Sequence, residues 1–291
     1  MKPQTPSQAR TSIFAFDPGQ DVGRLVEDCQ SWGLEELILH PGFFAKPGLE
    51  TLLRERGMSL WLNLPVFYNP GYLESHPEQY ALTNRGQRAI HDWCHFVCPT
   101  APGYVDQLVE EYRALVTRLQ PERISLDFIR TFVFWELVAL DGRRDVIEDA
   151  CYCPRCLAEF SRETGMALPE EAPVDFLREQ ASGAWGRWKA QRIEAVASRL
   201  VSVLREACPR AQLLMKLIPW RESELDGAII EAAGQDILAL ASLVDVVIPM
   251  AFSHILGRDL VWKEALLAHV QAVTGKPVGC YVQTNQLFRE A

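Results

Sequence analysis

The sequence predicts an α/β protein of the (β/α)8 TIM-barrel class, lacking its eighth strand or truncated before it, on three observations. Apolar β-type runs alternate with helical patterns along the whole chain, too often for a sandwich or a bundle, and that rhythm means parallel β/α units. Seven such runs can be read, and the longest intervals follow the third and the fourth, the layout of a barrel of roughly 250 residues with loop additions. No glycine-rich phosphate loop follows the first run, where Asp17-Pro18-Gly19-Gln20 stands, so a doubly wound open sheet is only the runner-up.

The strands are expected over Ile13 to Phe16, Glu36 to His40, Ser59 to Phe67, Arg123 to Ile129, Gln212 to Pro219, Val244 to Ala251 and Pro277 to Gln283. Between them, apolar residues recur at three and four spacing, as in Val105, Leu108, Val109, Tyr112, Leu115, Val116 and Leu119, or Ile193, Val196, Leu200, Val203 and Leu204. Gly33, Gly57 and Gly275 stand where left-handed helix caps belong. After Gln283 only Thr284 to Ala291 remain, too few for another helix and strand, so an open barrel or, preferably, a shortened version of a longer protein is expected. One domain over residues 1–291 is expected, with long insertions at about 68–102 and 131–172; the Pro- and Glu-rich stretch Leu168 to Val174 reads as the end of the second.

Composition excludes several classes. Of 291 residues, 48% are hydrophobic and 23% charged, ordinary for one globular unit. A formal charge of -9 without a basic stripe argues against nucleic acid as a partner. Met1 to Ser12 lacks the apolar centre of a secretion signal, and no run is long enough to cross a bilayer, so no membrane partner and a cytoplasmic location are expected. Eight unevenly spaced cysteines do not make a disulfide scaffold; reduced thiols with at most one metal site are expected.

The most informative stretch is Ile124-Ser125-Leu126-Asp127-Phe128-Ile129-Arg130. A strand buried on both faces carries a charge only when a partner or a task accompanies it, which singles out Asp127. Lys216 shares parity with Trp220 on the next long strand as Asp127 does with Ser125. If both faces point inward, an ammonium lies beside the carboxylate and favours its ionised form. Asp127, Lys216 and Arg130 could equally be a structural ion cluster in a barrel mouth.

Three segments carry a family resemblance: Trp93 to Pro99 with Tyr104 and the helix after it; Ser125 to Arg130 followed at a distance by Cys151-Tyr152-Cys153-Pro154-Arg155-Cys156; and Pro219-Trp220-Arg221 through Gly227, Gly234-Gln235-Asp236 and Pro249 to His254. Together they span roughly residues 35 to 285, and the chain resembles a family of bacterial TIM-barrel glycoside hydrolases, distantly similar to α-amylase-like and α-fucosidase-like enzymes. The resemblance implies a carbohydrate substrate and a pair of carboxyl groups flanking a glycosidic bond, one ionised and one protonated. Asp127 fits the ionised, nucleophilic role. Glu224, at the distance after Pro219-Trp220-Arg221 where the family carries an acid, is the first choice for general acid; Glu136, beside Trp135 in the aromatic run Phe132, Phe134, Trp135, is the reserve. Glu222 to Asp226 could also be a solvated helix start. Retention is the guess; carboxyl groups near 5 Å apart would favour it and about 6.5–9.5 Å would favour inversion.

Sugar rings have apolar faces and polar edges, so aromatic platforms mixed with donors are expected at the strand ends. The substrate-binding candidates are His40, Tyr68, Trp93, Arg130, Trp135, Lys216, Trp220, Arg221, His254 and Gln283. Phe252 stands where the family often has Tyr, one hydroxyl fewer. Cys153 and Cys156 have zinc-knuckle spacing, Cys151 adds a third thiolate, and Cys94, Cys98 or His95 could complete a structural zinc site, against plain thiols or a disulfide. No cofactor is expected for catalysis. Two readings of other kinds stay open: a carbohydrate-binding barrel without activity, and a metal-dependent hydrolase on the same scaffold.

Overall fold

Strands short and apolar enough to be buried on both faces pair in parallel, as the alternation predicts. In the computed structural model, residues 11–15, 17–45, 47–139 and 142–282 are described. The strands in chain order are β1 (Ile13–Ala15), β2 (Glu36–Leu39), β3 (Ser59–Pro65), a hairpin of β4 (Ile90–His91) and β5 (Cys94–His95), then β6 (Arg123–Asp127), β7 (Gln212–Leu217) and β8 (Val246–Pro249). The six-stranded sheet runs β1-β2-β3-β6-β7-β8, every pair parallel. The run read as a seventh strand, Pro277 to Gln283, is reduced to a single parallel bridge from Val278 to Val247, and Gln283 lies outside the described residues. Pro277 has no N–H to give to a ladder, and Gly279 has no side chain to pack.

The helices are α1 (Val22–Ser31), α2 (Leu49–Glu55), α3 (Pro70–Ser75), α4 (Tyr104–Leu119), α5 (Pro154–Thr164), α6 (Pro173–Glu179), α7 (Ser182–Ala207), α8 (Ala228–Glu231), α9 (Ile237–Leu243) and α10 (Leu260–Thr274). Of the apolar spacing read from the sequence, Leu108, Val109, Tyr112 and Val116 are buried on α4 together with Tyr104, while Val105, Leu115 and Leu119 are half-buried. Two of these tie the helix to a strand end, because the Tyr104 and Tyr112 hydroxyls donate to the carbonyls of Val66 and Pro65. Helix α7 approaches α8 so closely that a Cβ on Gly186 would lie 2.8 Å from the Glu231 Cα, which requires glycine there. At Gly275, φ is +64 and the N–H returns to Gln271, closing α10 as expected.

Period-2 alternation divides the core in two. The larger cluster fills the space between sheet and helices, while Ile38, Trp61, Leu214, Val246 and Ile248 form a separate group on the other face, with Phe14 and Tyr281 against it. The sheet curls until the rings of Phe14 on β1 and Tyr281 beyond β8 are 6.0 Å apart, so that second cluster is the interior of a barrel wall. At the amino ends of the strands, buried Glu36 holds Arg123 at 3.0 Å and accepts a hydrogen bond from Ser12, and the Arg123 guanidinium covers Trp61. Asn63, Ser125, Asp127 and Lys216 share the parity of this apolar group but lie further along their strands, towards the carboxyl ends.

The two predicted insertions interlock over that end. Backbone bridges join Thr83 to Ala150 and Val133 to Asp149. Asp149, fully buried, receives Lys189 Nζ of α7 at 2.7 Å and lies 3.5 Å from Arg178 of α6. Burial pulls the Lys189 ammonium below its usual pKa, and the Asp149 charge opposes that.

Candidate active site

The site is built on the carboxyl ends of β3, β6 and β7. The Asp127 carboxylate accepts hydrogen bonds from Lys216 Nζ at 2.8 Å and Asn63 Nδ2 at 3.0 Å, both on Oδ2, and from the Phe128 N–H at 2.8 Å on Oδ1. Ser125 in turn donates to Asn63 Oδ1 at 2.7 Å, which fixes the amide so that its nitrogen faces Asp127. Burial alone would lower the Lys216 pKa; the charge of Asp127, helped by Tyr281, lifts it above its ordinary value. The ammonium also stands over the rings of Phe14 and Tyr281, 4.0 and 5.0 Å from their centres.

Phe128 then leaves the strand with φ +49, a left-handed conformation that costs a bulky residue energy and directly follows Asp127. Where β6 and β7 part, Gln235 takes over their pairing: its amide donates to the Ile129 and Lys216 carbonyls and its oxygen accepts the Ile218 N–H at 2.9 Å.

A second carboxyl lies close by. Glu136 is the middle residue of the short turn Trp135–Leu137, is 8% exposed, and its Oε2 finds no hydrogen-bond partner among the described residues. Burial pushes its pKa up to about 7, with Arg130 pulling down and Asp127 pushing further up. Arg130 is 1% exposed: its guanidinium donates to the carbonyls of Thr131 and Val133 at 3.1 and 2.9 Å and rests on the Phe96 ring. It therefore faces the carboxyl groups from inside the wall, away from solvent. Cys94, equally buried, lies against the same group, and burial drives its thiol up to about 12. His40 accepts the Gly42 N–H on Nδ1 at 3.0 Å, so its neutral ring carries the proton on Nε2. Its pKa is lowered by burial first, with Asp127 opposing and Lys216 assisting.

The structure brings several predicted residues together and keeps others apart. Tyr68 stacks on Phe128, the residue after Asp127, at 4.8 Å, and Trp93 meets Phe128 edge-on at 6.0 Å, while Trp135, the residue before Glu136, stacks on Phe252 at 6.0 Å. Trp220 is buried, its indole N–H without a partner among the described residues. Glu224, the first choice for the acid, spends both oxygens on its own turn: the Arg221 N–H at 2.7 Å and the Arg221 guanidinium at 3.0 Å. Arg221 is committed to the same contact, and His254 is exposed in the turn after β8. Asn63 was not singled out by sequence, although it is the one polar residue inside the apolar run Leu60 to Phe67, the same signal that marked Asp127.

The cysteines converge. The Sγ atoms of Cys98, Cys151, Cys153 and Cys156 all lie within 4.8 Å of one another, Cys98 being 3.5, 3.6 and 3.5 Å from Cys151, Cys153 and Cys156. A zinc ion with bonds of about 2.3 Å needs sulfurs about 3.8 Å apart at the corners of a tetrahedron, so the donor set fits zinc closely. Contacts from the other three thiols hold Cys98 well below the usual thiol pKa. Cys94 and His95, weighed as fourth ligands, stay outside this group. Cys153 also caps α5, its sulfur accepting from the Cys156 N–H, so the helix start orients two of the four donors.

No family model matches the sequence, and no curated protein matches it. Solved structures do. The chain superposes on a β-galactosidase from Bacillus circulans sp. alkalophilus with a TM-score of 0.60 at 11% identity, over 90% of this chain and 42% of that one. A β-galactosidase from the psychrophilic Marinomonas ef1 gives 0.58 at 13% identity over 84% and 41%. An α-L-fucosidase isoenzyme 2 from Paenibacillus thiaminolyticus gives 0.52 at 12% over 84% and 36%. The chain thus spans about two fifths of the length of these neighbours. Its wall of parallel strands is the (β/α)-barrel fold that these glycoside hydrolases share.

Proposed function

We propose that the protein cleaves a glycosidic bond with Asp127 as nucleophile and Glu136, rather than Glu224, as general acid/base. The observation that carries this reading is a pair of neighbouring carboxyl groups in contrasting surroundings. Asp127 is matched by an ammonium and an amide, whereas Glu136 is buried with an unpartnered oxygen and titrates near 7. Such a contrast separates the two roles at neutral pH, one group being an anion and the other able to give up a proton. Lys216 and Asn63 orient Asp127, and Arg130 keeps the affinity of Glu136 for its proton near neutrality. Tyr68 and Trp93, half-buried beside Phe128, are the ring platforms for a sugar.

The four cysteines are proposed to hold a structural zinc ion, which would supply a cross-link between the two insertions and no chemistry of the reaction. The test is a panel of aryl glycosides offered to wild type, Asp127→Asn and Glu136→Gln. Turnover by wild type that falls at least about a thousandfold in the first variant supports the assignment; equal turnover by both would overturn it. One observation favours a second reading, a sugar-binding barrel without turnover: Asp127 is 3% exposed and both of its oxygens are engaged. On that reading no aryl glycoside is cleaved, and sugar binding survives Asp127→Asn.

A further inference from the structure

The two insertions are knitted together by backbone bridges, except for one piece. The β4–β5 hairpin has two residues per strand and turns at Asp92 and Trp93, with Asp92 at φ +50. Ile90, His91 and Asp92 are exposed. On its inner side Trp93 meets Phe128, Tyr68 and Phe134 edge-on at 6.0, 5.6 and 6.4 Å, and Cys94 reaches the electrostatic group of Arg130, Glu136 and Asp127.

Directly after it the chain is anchored. Val97 N–H donates to Phe67 at 2.8 Å, Cys98 N–H to Gln79 at 2.9 Å, and Cys98 Sγ enters the four-sulfur group. A two-stranded ribbon this short does not hold itself together in water. Its position depends on the Trp93 packing, on His91 stacked against Phe134 at 4.1 Å, on His95, which shares a hydrogen bond with the Tyr80 hydroxyl at 2.8 Å and accepts the Asn69 N–H at 3.3 Å, and on that anchored stem. Beneath it, Asp127 and Glu136 are 3% and 8% exposed, too little for a sugar to reach either while the hairpin lies down.

We infer that the hairpin Ile90–His95 is a lid over the Asp127–Glu136 site, hinged on the Phe96–Cys98 stem, and that a metal ion held by Cys98, Cys151, Cys153 and Cys156 fixes the hinge. Lifting it breaks the ring contacts of Trp93 and His91 and the hydrogen bonds of His95, and uncovers Cys94, while the buried stem stays in place. The inference rests on the proposed function only for what passes beneath the lid.

Cys94 is its own reporter, because its thiol meets reagent only when the hairpin rises. Zinc-loaded protein is treated with iodoacetamide and the labelled peptides are quantified by mass spectrometry, with Cys29, fully buried on α1, as the gauge of global unfolding. Cys94 is expected to label at least about tenfold faster than Cys29, since local opening costs less than unfolding. Trp93→Ala is expected to speed Cys94 by about a further tenfold at unchanged Cys29, with Trp93→Phe in between. Removing zinc with a chelator is expected to accelerate Cys94 again. If Cys94 labels no faster than Cys29 in wild type and in Trp93→Phe, the lid does not exist. If it labels fast but ignores zinc removal, the hinge is not set by the metal. Turnover is not read, so a moving lid without sugar cleavage would sink the proposed function alone, and cleavage under a rigid hairpin would sink the lid alone.

Discussion

At the scale of single residues, the group with the clearest signature is Glu136. Its carboxyl titrates near 7 in the fold against an ordinary value of 4.5. Between those values the folded protein keeps a proton that the unfolded chain has released, so stability falls as pH rises from about 4.5 to 7 and then levels off. The contribution of the neutral group is full below pH 4.5 and amounts to a few kcal/mol, at about 1.4 kcal/mol per pH unit. Glu136→Gln is expected to remove this slope, which urea titrations at several pH values would reveal; an unchanged slope would place the proton elsewhere. Asp127→Asn should cost about 3–5 kcal/mol in the same assay, because it leaves the buried Lys216 ammonium without its anion. Asp127 and Lys216 were legible in the sequence, each a charge inside an apolar run and paired by strand parity. Glu136 was legible only as a reserve: acids near an aromatic run are common, and which of them is buried depends on how a forty-residue insertion folds back.

At the scale of elements, the strands and the long helices could be read because hydrophobic period and burial coincide in them. The insertions could not, since their order comes from contacts far apart in sequence, such as Thr83 with Ala150 or Lys189 with Asp149. Cys98 shows the same limit, being one of three residues that spacing alone could offer as the fourth ligand. The Lys189–Asp149 pair predicts a measurable cost. Lys189→Met leaves a fully buried carboxylate with Arg178 at 3.5 Å and the Tyr152 hydroxyl as its remaining partners and should destabilise the protein by about 3 kcal/mol or more in chemical denaturation. The replacement should loosen the second insertion before the sheet, so exchange of the amides around Asp149 and Ala150 is expected to rise first.

At the scale of the whole molecule, the cysteines join segments that the sheet does not connect, so a metal there acts on the stability of the entire carboxyl-end layer. Zinc is expected to bind with one ion per chain and to raise the melting temperature, and Cys153→Ser should abolish both effects, as read by metal analysis and calorimetry. Among the described residues no helix is long and apolar enough to cross a membrane. The solved neighbours share this barrel wall at 11–13% identity, and at that distance the likeness speaks for the fold, while function rests on the particular side chains at the strand ends.

The plugged floor of the barrel has its own consequence. With Ile38, Trp61, Leu214 and Val246 filling the interior and the Glu36–Arg123 pair at the amino ends of the strands, that end is shut by side chains. Asp127 and Lys216, further along the same strands, are thereby screened from water on that side.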